Sequence, residues 1–209
     1  MGSAGDDAPL EVMTRLLKNR LNNQVRFTVL ARHPNDDFAN NYQVDMCRNL
    51  EYDTKKQSEG RWLRGFNPQD PADTVEELLE LFKTADLLIL GAGNFINEHS
   101  PGLLRGLLPR FYLNTWLADW VGLPVMLFGI SSSPLKSTYA RYGAQWLLKT
   151  ARAVVFREEF APQNLIESNV ELPDYEVLPD PVLGMKALPG KEEDLLFMLI
   201  PNFLQYYLG

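Results

Sequence analysis

Several short segments that each follow an apolar run carry side chains suited to gripping an anion or moving a proton. The first combines two glycines, an amide and an acid–base pair: Gly91, Gly93, Asn94, Glu98 and His99. A glycine turn at this place would let the backbone approach a ligand or adopt a positive φ, but it would also serve as a turn that only redirects the chain. Glu98 and His99 are candidates for proton transfer near neutral pH. A lone histidine in a loop is more often a surface residue.

Two further segments offer groups that bind anions. Ser131, Ser132 and Ser133 follow the apolar run at residues 124–129 and precede a predicted helix, where their hydroxyl and amide groups could bind an anion or merely cap the helix. Arg157 directly follows the apolar residues 153–156. Its guanidinium could grip a carboxylate or a phosphate with two hydrogen bonds, or form an ion pair with Glu158, Glu159 or Asp180.

Two aspartates complete the set of candidate site residues. Asp180 lies between two prolines, which fix the backbone and present one carboxylate at a strand end. It could orient Arg157 or simply shape a turn. Asp6 belongs to a short Gly-Asp-Asp segment in front of the first predicted helix. We list Glu98, His99 and Asp180 as candidate catalytic residues, and as candidate binding residues Gly91, Gly93, Asn94, Ser131, Ser132, Arg157 and Asp6.

Composition excludes several classes of function. The 209 residues carry a formal net charge of −7, with no Lys- or Arg-rich run, which argues against nucleic acid as the main partner. One cysteine and two histidines leave no disulfide framework and predict no metal site. Cys47 is expected to be a small buried residue rather than a nucleophile. The third position of a dinucleotide-binding glycine motif is Ile96, so we expect no redox cofactor.

The elements that must position these residues alternate between short apolar runs and amphipathic stretches. Helices are predicted at residues 10–21, Val75–Thr84, 109–121, 139–149 and 162–168; strands are predicted at 25–31, 43–46, 87–90, 124–129, 153–156, 175–178 and 195–200. This order is typical of an α/β fold with a doubly wound, mostly parallel, Rossmann-like sheet flanked by helices. In such sheets ligands bind beyond the carboxyl ends of the strands, where the candidate residues lie.

The ends of the chain suggest a particular domain organisation. We expect a Rossmann-like domain at residues 5–187, followed at residues 188–209 by a linker and the first strand of a second domain. The chain opens on a helix with no strand before it and closes on one strand-like run and a short aromatic tail, so we expect either truncation at both ends or a tail that compensates for a missing strand. No signal peptide or apolar run long enough to span a bilayer is visible, so a cytoplasmic location is expected.

In their order and spacing, these segments resemble the polysaccharide pyruvyl transferase family. The resemblance spans roughly residues 5–183 and rests on the segments GDDA at 5–8, VLARHP at 29–34, ADLLILGAGNF at 85–95, GLPV at 122–125 with GI at 129–130, VVFREE at 154–159 and LPDP at 178–181. It implies one half of a GT-B-like architecture and transfer of a pyruvyl group from phosphoenolpyruvate to a saccharide acceptor. It also implies that Arg157 grips the anion, while Asn94 faces the same cleft.

Two alternatives remain open. One is a catalytically inactive remnant or scaffold of the same fold that self-associates as a homo-oligomer. The other is a glycosyltransferase domain that uses a nucleotide sugar. Whether this chain is an enzyme by itself depends on whether it holds enough of the cleft, because the resemblance implies that a second domain supplies the other side.

Overall fold

The structure, a computed structural model, describes residues 4–31, 34–49, 75–98 and 107–184. Within these ranges the helices are α1 (Ala4–Arg20), α2 (Asp36–Tyr42), α3 (Val75–Thr84), α4 (Leu107–Val121), α5 (Thr138–Thr150) and α6 (Phe160–Glu167). The strands are β1 (Thr28–Ala31), β2 (Asp45–Arg48), β3 (Leu88–Ile96), β4 (Val125–Ser132), β5 (Ala153–Phe156) and β6 (Glu176–Val177). A short 3₁₀ helix follows at Pro181–Gly184.

The strands form two parallel sheets flanked by helices, which confirms the predicted α/β, Rossmann-like class. One sheet pairs β1 with β2, and the other has the order β3-β4-β5-β6. Every neighbouring pair in the larger sheet is parallel, and a helix connects each strand to the next. The carboxyl ends of four successive strands therefore meet at one edge of this sheet.

The core lies around the two middle strands of the larger sheet. Leu127 and Ile130 of β4 and Phe156 of β5 are fully buried, together with Leu78 of α3 and Leu147 of α5. Apolar side chains on both faces of β4 explain why this strand reads as a continuous hydrophobic run in the sequence. Such burial contributes about 1.5–3 kcal/mol for each large side chain relative to exposure.

The glycine turn predicted at residues 91–94 is wrong: β3 continues through it to Ile96. Gly91 pairs with Phe128, and Asn94 pairs with Ser131, in the same ladder as the apolar half of the strand. A Cβ on Gly91 would lie 1.8 Å from the carbonyl oxygen of Phe128. The glycine is thus needed because a neighbouring strand approaches it closely.

Other boundaries also differ from the prediction. Ser131 and Ser132 do not follow β4 but are its last residues. The polar residues after Pro34 form helix α2, because the side chain of Asn35 accepts a hydrogen bond from Phe38 N at 3.1 Å and caps the first turn. The strand predicted at 43–46 begins only at Asp45, since Gln43 ends α2 in a left-handed conformation.

Helix α1 starts at Ala4, so Asp6 lies in its first turn rather than in front of it. Of the described helices, none is both long and apolar enough to cross a membrane. The predicted linker and strand at residues 188–209, like His33 and His99, lie outside the described residues. The division into two domains stays a prediction.

Candidate functional site

Arg157 lies where β5 ends, at the carboxyl edge of the larger sheet. Its backbone N–H donates to Ile130 O at 3.1 Å, which fixes it beside β4. The guanidinium Nε donates to Glu158 Oε2 at 3.1 Å, and Nη1 donates to Asp180 Oδ2 at 2.9 Å. The ion-pair interpretation of Arg157 is therefore confirmed. Among the described residues no side chain or carbonyl accepts from Nη2, and the Arg157 side chain is 27% exposed.

Asp180 both orients Arg157 and shapes a turn. While Oδ2 accepts from Arg157, Oδ1 accepts from Val182 N at 3.0 Å, and the Asp180 carbonyl accepts from Leu183 N at 2.9 Å. The aspartate therefore caps the 3₁₀ helix that follows it. Because both carboxylate oxygens are engaged, the geometry favours Asp180 as a residue that positions Arg157.

Gly129 brings the β3 segment and the Asp180 segment together. It has a φ of 62°, and a Cβ there would lie 2.8 Å from Pro181 Cγ and 3.2 Å from the Cβ of Ala92. A side chain at position 129 would therefore push Ala92 and Pro181 apart. The sequence offered a signal for this in the isolated glycine inside an apolar run, which marks close backbone approach.

The end of β3 is tied to the loop after β4. Asn94 Nδ2 donates to Ser133 Oγ at 3.0 Å, and Asn97 Nδ2 donates to the Asn94 carbonyl at 2.5 Å. The other amide atom, Asn94 Oδ1, is buried without a hydrogen-bond partner. Ser133, which is only partly buried, is thus the serine that shares this edge with Asn94.

Ser131 and Ser132, the serines proposed for anion binding, are only 2% and 1% exposed. The Ser132 hydroxyl donates to Ala161 O at 2.6 Å, and its carbonyl accepts from Asn164 Nδ2 at 2.9 Å. These bonds attach the end of β4 to helix α6.

Glu98 lies at the N-terminus of helix α5. A carboxylate oxygen of Glu98 accepts a hydrogen bond from the backbone N–H of Ser137, whose own hydroxyl caps the helix by accepting from Ala140 N at 3.2 Å. The hydrogen bonds from Ser137 lower the pKa of the Glu98 carboxyl below its ordinary value. Glu98 is therefore ionised at neutral pH, which suits a proton acceptor better than a proton donor.

A second unpartnered acceptor belongs to Glu158. While Oε2 binds Arg157, Oε1 is buried and has no hydrogen-bond partner. Buried acceptors without a donor are costly, so this atom and Asn94 Oδ1 mark places where a ligand hydroxyl would be stabilised. The sequence predicts Glu158 only as an ion-pair partner of Arg157. The one sequence signal for a role of Glu158 at the site is that it is adjacent to a second acidic residue, Glu159.

The described part of this edge carries one guanidinium, on Arg157, against the carboxylates of Glu158 and Asp180. A ligand that carries both a carboxylate and a phosphate would therefore need further cationic or amide donors for its phosphate. Within residues 4–31, 34–49, 75–98 and 107–184, no three His, Cys, Asp or Glu side chains are grouped so as to hold a metal ion.

The site thus lies at the carboxyl edge of a parallel α/β sheet, the edge at which ligands bind in open sheets of this kind. A family model described as polysaccharide pyruvyl transferase matches residues 4–206. Because this match covers nearly the whole chain, the protein belongs to the polysaccharide pyruvyl transferase family. No match to the chain was found among curated proteins or among solved structures.

Proposed function

We propose that the chain binds phosphoenolpyruvate at the carboxyl edge of β3, β4 and β5 and transfers its pyruvyl group to two hydroxyls of a saccharide. The observation that carries this proposal is the guanidinium of Arg157, held by two carboxylates with Nη2 free of a partner among the described residues. A planar guanidinium fixed in this way matches the carboxylate of phosphoenolpyruvate.

The reaction needs both a proton donor and a proton acceptor. Protonation of the methylene carbon turns it into a methyl group and leaves an oxocarbenium-like C2, which one sugar hydroxyl attacks as phosphate departs. A second hydroxyl then closes the cyclic ketal. Of the two hydroxyl protons, one balances the new methyl group and the other leaves with phosphate, so no redox cofactor is consumed.

We assign proton acceptance from the sugar to Glu158, because its Oε1 is buried, unpartnered and beside Arg157. Asn94 Oδ1 is proposed to accept a second sugar hydroxyl. Glu98 remains a candidate proton acceptor, and His99 a candidate donor for the methylene carbon. In this scheme Asp180 is a positioning residue, and Ser133 replaces Ser131 and Ser132 as the hydroxyl at the site.

The proposal gives only structural roles to the remaining candidate residues, Gly91, Gly93 and Asp6. Gly91 lets β3 and β4 approach, and Gly93 leaves an open backbone beside Asn94, since apart from its chain neighbours no atom of the described residues lies within 4 Å of a Cβ built there. Asp6 lies in the first turn of α1, whose later residues pack against the 3₁₀ helix through Arg15 Nη2 and Gly184 O at 2.5 Å.

Thermal unfolding with phosphoenolpyruvate tests the binding claim. A ligand at about 100 times its Kd stabilises the folded state by about 2.7 kcal/mol, which corresponds to a rise of roughly 5–10 °C for a domain of this size. Arg157→Ala should abolish the rise. Arg152→Ala is the matched control, because Arg152 is an exposed arginine just before the same strand, at its opposite end. Equal responses in the two variants would refute the role of Arg157.

Phosphate release tests the chemistry separately. Phosphoenolpyruvate would be incubated with methyl glycosides of galactose, mannose and glucose, and released phosphate would be measured. Glu158→Gln should retain the thermal response to phosphoenolpyruvate but lose about 10²–10⁴-fold in rate, as expected for a general base. An undiminished rate would remove Glu158 from the mechanism while leaving the binding site intact.

A further inference from the structure

A continuous group of aromatic side chains covers the outer side of helices α4 and α5. We call it the aromatic face, and it consists of Tyr112, Trp116, Trp120, Tyr139, Tyr142 and Trp146. On α4 its members are spaced by four residues, and on α5 by three and four, so each set lies on one side of its helix. Trp120 is 67% exposed and Tyr142 is 73% exposed.

Ring contacts join the two helices into one surface. The rings of Tyr112 and Trp146 are 4.5 Å apart between centroids, and those of Trp116 and Trp120 are 5.6 Å apart. Burial raises the pKa of Tyr139, and the nearby Tyr112 hydroxyl raises it further. Rings of the two helices therefore meet at Tyr112, while Trp116 and Trp120 contact each other along α4.

Helix α4 carries mostly apolar and aromatic side chains on its exposed side as well as on its buried side. Its buried side carries Leu113, Leu117 and Ala118, and among its described side chains only Asp119 is charged. A helix whose outer side also carries several large exposed rings is normally covered on that side.

Two polar side chains that flank the aromatic face are already engaged within the chain. Gln145 exchanges two hydrogen bonds with the Glu171 backbone, at 2.8 and 2.7 Å, and Lys149 pairs with the Glu171 carboxylate at 3.1 Å. A saccharide needs free donors and acceptors beside an aromatic platform, and an anionic bilayer would repel a chain of net charge −7. An apolar protein surface fits better than either.

We propose that the aromatic face is the contact between two copies of this chain, related by a two-fold axis. At roughly half exposure, its five most exposed rings offer on the order of 500 Å² per copy. This is well over half of the roughly 800 Å² that a standard interface buries on each partner. Exposed Trp and Tyr residues are also the side chains enriched at the centres of such interfaces. The proposal does not depend on the function assigned to the sheet edge.

Sedimentation velocity over a wide concentration range tests the proposal. The chain should pass from monomer to dimer, and the tryptophan emission should shift to shorter wavelength in parallel, because Trp116 and Trp120 leave water. A chain that stays monomeric into the high micromolar range would overturn the proposal.

Point variants locate the interface. Trp120→Lys and Tyr142→Lys should each weaken dimerisation by about 30-fold or more, the size expected for a hot-spot aromatic residue. Ile166→Lys on α6, where the side chain is 51% exposed, is the control and should leave dimerisation unchanged. A dimer that survives both aromatic variants would overturn the proposal. So would a monomer whose aromatic face instead binds anionic vesicles or a saccharide in a Trp120-dependent manner.

Discussion

Arg157 and Asp180 lie 23 residues apart and follow different strands, yet Nη1 of the arginine is 2.9 Å from Oδ2 of the aspartate. The contact exists because β5 and β6 are parallel neighbours, so the residues that follow them reach the same edge. Leu178 N donates to Phe156 O at 2.9 Å and extends the pairing of these two strands toward the ion pair.

Removing the Asp180 carboxylate should destabilise the fold modestly. Asp180→Ala loses the ion pair and the cap of the 3₁₀ helix, which together contribute about 1–2 kcal/mol at this partly exposed place. Asp180→Asn keeps an oxygen for Val182 N and should lose less. Urea denaturation would measure both, with the exposed Asp174→Ala as the control. Equal stability of Asp180→Ala and Asp174→Ala would contradict the prediction.

Substituting Gly91 should be far more damaging than substituting Gly93. An alanine Cβ at position 91 would overlap the Phe128 carbonyl, so the cost should be about 3 kcal/mol or more. Gly93 has a φ of 145° but open space around it, so Gly93→Ala should cost about 1–2 kcal/mol from backbone strain alone. The comparison uses urea midpoints, and a Gly91→Ala protein as stable as Gly93→Ala would be inconsistent with close strand approach.

Stability should depend on the charge of Glu98 in acid. The pKa of this carboxyl is lowered from its ordinary value of 4.5 by the hydrogen bonds from Ser137, so its contribution is complete above about pH 4.5. As the pH falls through the lowered pKa of the folded state, the contribution is lost.

Glu98→Gln should therefore unfold at a lower temperature than the unsubstituted chain near neutral pH, and the difference should shrink in acid. This difference would be measured as melting temperatures of both proteins, from neutral pH down to a pH below the pKa of Glu98 in the folded state. Glu167→Gln, an exposed substitution on α6, is the control. A difference that stays constant across the pH range would show that the Glu98 charge does not matter.

The Cys47 thiol should react slowly. Cys47 is only 5% exposed, and burial raises the pKa of its thiol to about 11. The thiolate fraction near pH 8 is therefore on the order of a hundredfold below that of a free cysteine. Labelling of Cys47 with a disulfide reagent should be slow in buffer and fast in denaturant. Because the chain has one cysteine, the rate in denaturant is the control for the rate in the folded protein. Rapid labelling of the folded chain would contradict the burial.

Much of the fold could be predicted because it is encoded locally. The bounds of α3 and β5 agree with the prediction, since an amphipathic repeat and a short apolar run leave little choice. Helix α2 was missed although Asn35 and the two aspartates after it form a local start signal. There the lack of an apolar face concealed the helix, and none of its residues is buried.

The candidate site was predictable in position but not in detail. The apolar runs before Arg157 and Asp180 predict that both residues lie at strand ends. For Asp180 the sequence left two alternatives open, contact with Arg157 or the shaping of a turn. The sequence predicts Ser133 only as one of three serines after an apolar run and Glu158 only as an ion-pair partner, because their particular roles depend on one bond to Asn94 and on one unpartnered oxygen. Such facts depend on atoms from neighbouring strands.

By itself the sequence determined the alternation of helices and strands and the residues that would lie at the carboxyl edge, because both follow from local periodicity. It also carried the order of motifs by which the family is identified. Only the tertiary structure decided that Gly91 serves strand pairing rather than a turn, and that Asp180 holds Arg157. Backbone contact between β3 and β4, and ion pairing beyond β5 and β6, join residues far apart in the chain, so no local pattern records them.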